Sequence, residues 1–504
     1  IPNYQIHNSY DGEFYEGGPK FYVRSEGQPR LFQAIANLFF GDDVFPQIAC
    51  PLNNSLTYQI KHTIDGHSNP DSGEPDETSS NNSNSRNNIV DITADGDYVA
   101  VAVPETNKAY CYSTSDGSRI GQEIDLGSVG NVSDNISDVS ILNTLSSIIM
   151  AFGLYDNSGQ RHVAIFSKLK TIATDGFIEI GTIPLIAAEV KRSEISISPD
   201  SLRFIHIMNT VVIGGPSGAY GQTHFYSIDT NNNFSTINYN NVSIEDLTSM
   251  PLKYHPKMIS NSLAISRFDA PNKIAIYKDM DSTTNIRLSG NTGNSGTVSN
   301  STLSEVTNIT ALDTSSDGTR IVVGDSTSPG TESNGDVFPN RGRVCVYTLN
   351  NGTVVTLMNI INYTESPLDN GNIAYRDIEF GASVSINGNG HVIAIGTPNH
   401  NGGIFFTSIT TGNNNNMPRR GAVVILQYDY ETESWLRFKN DIFGEYNSGD
   451  LYDHIGYDLA ISSDSSKIIF SGKGRPESYP SGLEHGTVAV IEPGRGEPRI
   501  YELS

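Results

Sequence analysis

From about residue 85 onward the chain repeats one pattern of apolar and polar positions. A short strand alternates apolar with small polar residues, a polar turn follows, and then comes a run of Val, Ile and Ala. The clearest copies are 89–101 around Asp95-Gly96, 310–323 around Asp317-Gly318, 383–395 around Gly388 and Gly390, and 459–470 around Asp464. Weaker copies lie at 139–149, 195–205 and 258–265. Asp-Gly and Asn-Gly supply the positive backbone angles of tight hairpins. Unbroken Val/Ile runs suit strands covered on both faces. Most copies continue into a third apolar strand, as in Val163–Phe166, Thr223–Ile228, Lys273–Tyr277, Val344–Tyr347, Ala422–Leu426 and Thr487–Ile491.

Seven such units recur, their turns about 50 to 75 residues apart. Strand-only repeats of this size, with insertions in loops, predict an all-β fold, a seven-bladed β-propeller. The expected blades lie near 85–130, 135–185, 190–245, 246–300, 301–370, 371–445 and 446–504, within a propeller domain of 61–504. The strand Arg499–Leu503 is expected to complete the last blade or cross to the first. Residues 1–60 depart from the repeat and read as an N-terminal arm. It holds a helix candidate, Arg30–Phe40, with Leu31, Ile35, Leu38 and Phe39 on one face and Gly41 as a stop. Its extended segments Tyr4–Asn8 and Lys20–Arg24 are candidates to close the ring or pair with a neighbour's sheet edge. Residues 65–88 and 401–420 read as long polar loops.

Charge and composition narrow the function. The 504 residues carry a formal net charge of −24, which argues against nucleic acid and against docking on anionic lipid. The longest apolar stretches, such as Ala422–Leu426, are far short of the roughly 20 residues of a membrane helix, so no membrane insertion is expected. The sequence begins at Ile1, so either a leader has been removed or the start lies upstream. Asn makes up about one residue in ten, and ten N-x-[ST] sequons occur, at Asn53, Asn81, Asn131, Asn135, Asn233, Asn241, Asn300, Asn308, Asn351 and Asn362. That number is what the composition alone would give, and all ten are glycosylation candidates in a secreted protein. Of the three cysteines, Cys111 and Cys345 occupy inward strand positions and read as buried thiols; a Cys50–Cys111 disulfide is the alternative, leaving Cys345 unpaired.

Catalytic signatures are missing: no H-E-x-x-H, G-x-S-x-G, phosphate loop or dinucleotide fingerprint occurs. The conspicuous acids, Asp95, Asp97, Asp200, Asp317 and Asp464, are explained by turn chemistry. The histidines are scattered, with His391 and His400 flanking a strand and loop, and Trp435 reads as a strand residue. A propeller glycosidase would need a carboxylate pair at the central tunnel.

The sixth and seventh units carry a more specific signal. Phe380-Gly381-Ala382-Ser383-Val384-Ser385 opens one strand and Ala394-Ile395-Gly396-Thr397-Pro398 ends the next. The chain then runs through Trp435, Asp441-Ile442, Gly444-Glu445 and Asp450 to Ile455-Gly456-Tyr457-Asp458-Leu459. This stretch resembles the FG-GAP repeat of integrin α-subunit propellers, and the related repeats of large secreted microbial, algal and giant-virus surface proteins. The likeness covers about 371–472 well and 305–350 fairly. The integrin calcium loop is absent from every unit, so neither a metal nor another cofactor is expected. The resemblance implies an extracellular, non-enzymatic structural or adhesion protein on a virion or cell surface. Its expected partners are further copies of itself, other surface proteins or glycans, and a glycosylated filament assembled through the arm is one form this would take. A carbohydrate- or calcium-dependent recognition module is the alternative, and a propeller hydrolase a third reading.

Overall fold

The computed structural model describes residues 56–64, 89–104, 107–126, 135–155, 161–172, 176–184, 189–199, 203–211, 219–229, 236–238, 253–260, 263–268, 273–278, 298–331, 337–338, 340–350, 354–363, 378–400, 421–437, 441–443, 446–447, 451–452, 455–472 and 488–495. The expected helix, both arm segments, Cys50, the loops 65–88 and 401–420, Asp200 and Arg499–Leu503 lie outside them. The chain divides into two compact units, Leu56–Gln427 with Trp435–Ser504, and Ile1–Ser55 with Tyr428–Ser434.

The large unit is an all-β β-propeller. Its strands pair antiparallel into sheets, numbered here in chain order. Sheet 1 holds Ile89–Ile92, Tyr98–Val103, Lys108–Ser113 and Ile124–Asp125. Sheet 2 holds Asn135–Asn143, Ser147–Tyr155, Arg161–Leu169 and Ile178–Pro184, and sheet 3 holds Glu189–Ile197, Arg203–Val211, Ala219–Asp229 and Thr236–Asn238. Sheet 4 comprises Lys253–Ser260, Leu263–Phe268, Lys273–Lys278 and Val298–Thr302; sheet 5 comprises Ala311–Thr314, Arg320–Asp325, Arg343–Asn350 and Val354–Asn362. Sheet 6 is built on Ser383–Ile386, Val392–Thr397, Ala422–Asp429 and Ser434–Arg437. Sheet 7 takes Asp458–Ile461, Ile468–Ser471 and Val488–Arg495, and its fourth strand is Leu56–Ile64, which straddles the boundary expected at 60/61. Leu56 pairs with Arg495 and Ile64 with Val488. The outer position there is thus held by a strand from the other end of the described sequence.

Sheets 1, 2, 5, 6 and 7 are covered on both faces, which is why second strands such as Tyr98–Val103 and Val392–Thr397 carry unbroken apolar runs. In sheet 1, Val99 and Val101 pack with Ala460 and Ile469 of sheet 7, while Ala100 and Ala102 pack with Ile148, Met150 and Phe152 of sheet 2. The same alternation joins sheets 2 and 3 through Ile165 and Ile195, sheets 4 and 5 through Ile276 and Val323, sheets 5 and 6 through Val322 and Ile395, and sheets 6 and 7 through Ile425 and Phe470. Burying one such Ile or Phe stabilises the fold by about 1.5–3 kcal/mol. Cys111 and Cys345 are buried free thiols in these layers, and Cys50 lies outside the described residues. Burial pushes both thiols up, Cys345 to about 11.

In the other unit, residues 430–433 form a turn. Asp429 accepts from the Glu431 N–H at 3.0 Å and the Thr432 hydroxyl at 2.7 Å, and these bonds hold its carboxyl below the usual range.

Candidate functional site

The first strand of each sheet packs against the first strand of the next, and that of sheet 7 against that of sheet 1. Side chains from these strands meet on the inside of the ring. Their arrangement follows one rule: an oxygen on one first strand accepts a backbone N–H from the next.

At one level the oxygens come from Asp91, Ser140, Ser196, Asp313 and Ser385. Asp91 Oδ2 accepts from Ile141 N–H at 3.0 Å and from the Ser140 hydroxyl at 3.1 Å. Ser140 Oγ accepts from Ile197 N–H at 3.1 Å, and Ser196 Oγ from Met258 N–H at 3.0 Å. Between sheets 4 and 5 the link is an ion pair, Lys257 Nζ to Asp313 Oδ1 at 3.1 Å. Asp313 Oδ2 then accepts from Ile386 N–H at 3.0 Å and the Ser385 hydroxyl at 2.7 Å, and Ser385 Oγ accepts from Ile461 N–H at 3.2 Å. Sheet 7 places Ala460 at this level, which offers no side-chain oxygen.

The second level lies two residues earlier in each strand. Asp138 Oδ2 accepts from Ile195 N–H at 2.8 Å, and Asp458 Oδ2 from Val90 N–H at 2.8 Å. Glu194 would meet residue 256 by the same rule, but Pro256 has no N–H. The chain instead adopts a φ of 52° at His255, and the His255 N–H donates to Glu194. Asp91, Asp138, Asp313 and Asp458 each also accept the N–H of the following residue, at 2.8 to 3.0 Å.

The electrostatics follow from five acids and one amine in a confined space. Burial pushes the Asp91 carboxyl up against the opposing pull of Lys257 and its own hydrogen bonds. Asp458 is pushed up to about 7 by burial, which outweighs the Val90 N–H bond and is reinforced by the Asp91 charge. Burial pulls Lys257 down, but the carboxylates of Asp313, Asp91 and Asp138 more than offset it, so the amine is held charged. A charged, ion-paired amine is not a nucleophile. Among the described residues no group of three or more His, Cys, Asp or Glu side chains is placed to hold a metal ion.

Of the acids expected in turns, Asp95, Asp317 and Asp464 accept donors within their turns. Asp95 accepts from the Thr93 hydroxyl at 2.6 Å and Asp97 N–H at 3.1 Å; Asp317 accepts from Thr319 N–H at 3.0 Å; Asp464 accepts from the Ser462 hydroxyl at 2.8 Å. These turns also join end to end: Asp317 N–H donates to Gly388 O, Gly388 N–H to Ser463 O, and Ser463 N–H to Ala94 O.

His400 is buried, with Nε2 at 2.6 Å from the Tyr363 hydroxyl and its ring against Phe443. Arg437 lies over the Tyr363 ring at 5.0 Å and pairs with Asp441. His391 is pulled down to about 4 by burial and by nearby Arg320. Trp435 packs in the layer between sheets 5 and 6 with Arg320 over its ring at 5.7 Å. Of the sequon residues, Asn135 and Asn300 lie in strands, Asn308 accepts from Arg267 at 2.9 Å, and Asn362 is exposed at a strand end. Asn53, Asn81, Asn131, Asn233, Asn241 and Asn351 lie outside the described residues.

The glycines of the FG-GAP-like stretch mark close approaches between sheets. A Cβ on Gly324 would fall 2.0 Å from the Gly381 carbonyl oxygen, and one on Gly396 would fall 2.1 Å from the Gly456 carbonyl oxygen. Gly381 and Gly456 themselves have φ of +88° and +93°. Each pair joins the end of one sheet's second strand to the entry of the next sheet.

No protein-family model and no curated protein matches the chain. Among solved structures it is similar to U3-55K, at 9% identity and a TM-score of 0.44, covering 81% of this chain and 95% of that one. It is also similar to the β-propeller domain of Cps50 (Swd1) from Myceliophteria thermophila, at 10% and 0.43, covering 86% and 99%. A third is hydrazine synthase from Kuenenia stuttgartiensis, at 14% and 0.43, covering 80% and 94%. These likenesses assign no activity or partner to the chain.

Proposed function

We propose that the chain is a seven-bladed β-propeller acting as an extracellular, non-enzymatic structural or adhesion protein. It is a glycosylated subunit of a surface filament or appendage, joined to its neighbours through residues 1–60. The observation that carries this reading is the use made of the acids. The inner carboxylates of Asp91, Asp138, Glu194, Asp313 and Asp458 all accept backbone N–H groups that hold one sheet to the next or fix their own strand. A glycosidase needs one carboxyl as acid and another as base or nucleophile, both facing substrate. Carboxylates committed to backbone donors favour scaffolding. The blade count is supported by the first strands, whose contacts run from sheet 1 through sheet 7 and return to sheet 1. The FG-GAP-like glycines support the kinship with secreted surface propellers, because they serve the same blade-to-blade approach in both copies.

The test is imaging by electron microscopy of the purified full chain and of a variant lacking residues 1–45. Polymers from the full chain and monomers from the truncation are expected. Polymers that persist after truncation would refute assembly through the arm, and face-on averages with six or eight blades would refute the count. Specific binding on a glycan array, or calcium binding by calorimetry, would move the reading to a recognition module.

A further inference from the structure

Six of the seven junctions between first strands carry a side-chain link at the first level described above; the junction from sheet 7 to sheet 1 does not. Ala460 occupies the position filled by Asp91, Ser140, Ser196, Lys257, Asp313 and Ser385 elsewhere. At that seam the inner-strand side-chain link among the described residues is Asp458 alone, reaching Val90 N–H at 2.8 Å. Sheet 7, on one side of that seam, is also the sheet in which Leu56–Ile64 pairs with Val488–Arg495 to close the ring. We propose that this seam is a proton-operated latch, in which uptake of a proton at Asp458 tightens the contact between the first strands of sheets 7 and 1.

Burial and the Asp91 charge favour the proton, against two backbone N–H bonds that favour the carboxylate. Asp458 Oδ2 and Oδ1 accept only neutral donors in the hydrogen bonds described, Val90 N–H and its neighbour Leu459 N–H at 3.0 Å. Asp313, by contrast, faces the Lys257 ammonium at 3.1 Å and a serine hydroxyl at 2.7 Å. Four elements pack against the strand of Asp458. The first strand of sheet 1 presents Asp91, a second negative charge next to the very residue whose N–H Asp458 accepts. Ser383–Ile386, Val392–Thr397 and Ile468–Ser471 present no ionisable side chain. Lys257 acts on Asp458 from across the ring, but it is shared with Asp313, Asp91 and Asp138. A neutral carboxyl keeps a carbonyl oxygen for Val90 N–H and removes the repulsion from Asp91.

The sign follows from linkage. The Asp458 carboxyl rises from 3.8 to about 7 on folding, so the folded chain binds the extra proton between these values. The seam is strongest below that window and weakens as pH climbs to about 7. His391 acts in the opposite sense over part of the same range, so the informative quantity is the difference between variant and wild type.

The experiment is urea unfolding of the full chain, of Asp458→Asn and of Asp91→Asn from pH 5 to pH 9. The ratio of the wild-type to the Asp458→Asn unfolding constant is expected to rise about tenfold per pH unit between pH 5 and 7 and to level off above pH 8. Asp91→Asn removes the repelling charge and is expected to keep the slope while shifting its upper end below pH 7. A ratio that stays constant between pH 5 and 8 would overturn the latch, as would an Asp91→Asn profile identical to wild type. If Asp458→Asn does not fold, hydrogen exchange of the wild-type 89–92 segment decides. Its protection, corrected for intrinsic exchange, is expected to fall from pH 6 to 8, and constant protection refutes the proposal.

Discussion

Replacing Gly396 with alanine tests the claim that glycine pairs set the distance between neighbouring sheets. The added Cβ would lie 2.1 Å from the Gly456 carbonyl oxygen, 2.2 Å from Ser383 Oγ and 2.9 Å from the Gly456 carbonyl carbon. Ser383 can rotate away, but doing so gives up its 2.8 Å hydrogen bond to the same Gly456 oxygen, worth about 0.5–1.5 kcal/mol. The carbonyl belongs to a backbone fixed at a φ of +93°, and its retreat pulls sheet 7 from sheet 6. Overpacking of this kind costs about 1–3 kcal/mol. Together the two losses predict a destabilisation of about 2–4 kcal/mol. Urea unfolding reads this as a lower midpoint at unchanged m-value, because the surface exposed on unfolding is the same. Gly176→Ala is the control: its Cβ would meet Gln122 at 3.7 Å, an ordinary contact, and the change is expected to stay within about 0.5 kcal/mol. If Gly396→Ala behaves like Gly176→Ala, the sheets tolerate a wider approach and the reasoning is wrong.

Further outcomes follow from the inner ring and the core. Asp313→Ala leaves the Ile386 and Thr314 N–H groups and the Lys257 ammonium without their shared acceptor; a loss of about 2–4 kcal/mol in urea unfolding is expected, with Asp313→Asn recovering part of it. His391 is held down to about 4 against 6.5 when free, so stability that depends on its neutral ring is present above pH 6.5 and drains as pH falls toward 4. His391→Asn is expected to remove that acid sensitivity in melts taken from pH 7 to 4.5. The thiols of Cys111 and Cys345 are fully buried and pushed up, so neither is expected to react with a thiol reagent until the protein unfolds; rapid labelling of the native chain at either position would contradict the packing.

The hairpins were legible in the sequence because local chemistry determines them. Asp95-Gly96 and Asp317-Gly318 each place a glycine at positive φ, at 75° and 69°, and Val/Ile runs such as Ile321–Val323 declare a strand covered on both faces. The turn acids were legible for the same reason. The inner acids were not, because an aspartate within an alternating strand reads as the wet side of a sheet. Only the closing of the ring turns that side inward. One signal was present: Asp91 and Asp313 each stand four residues before a turn aspartate, 95 − 91 and 317 − 313, so the two carboxylates occupy the same place in their repeats. The role of Glu194 depends on Pro256 lacking an N–H, a fact about a neighbouring sheet that no local pattern conveys. The pairing of Leu56–Ile64 into sheet 7 was not legible, because local pattern links near neighbours and this strand reaches Val488–Arg495 only through three-dimensional closure.

That closing strand has a consequence for the order of events in folding. Sheets 1 to 6 are each assembled from consecutive stretches of chain, so their pairings are separated by short or moderate loops. Sheet 7 cannot be finished until Leu56–Ile64 meets Val488–Arg495, a partner more than four hundred residues further along the chain. During synthesis the segment that ends the circle is made before any sheet of the propeller, and it must stay unpaired until the final strands emerge. The slow, entropically costly contact is thus deferred to the last step. Throughout that interval the unpaired strand edges are open to pairing with another chain.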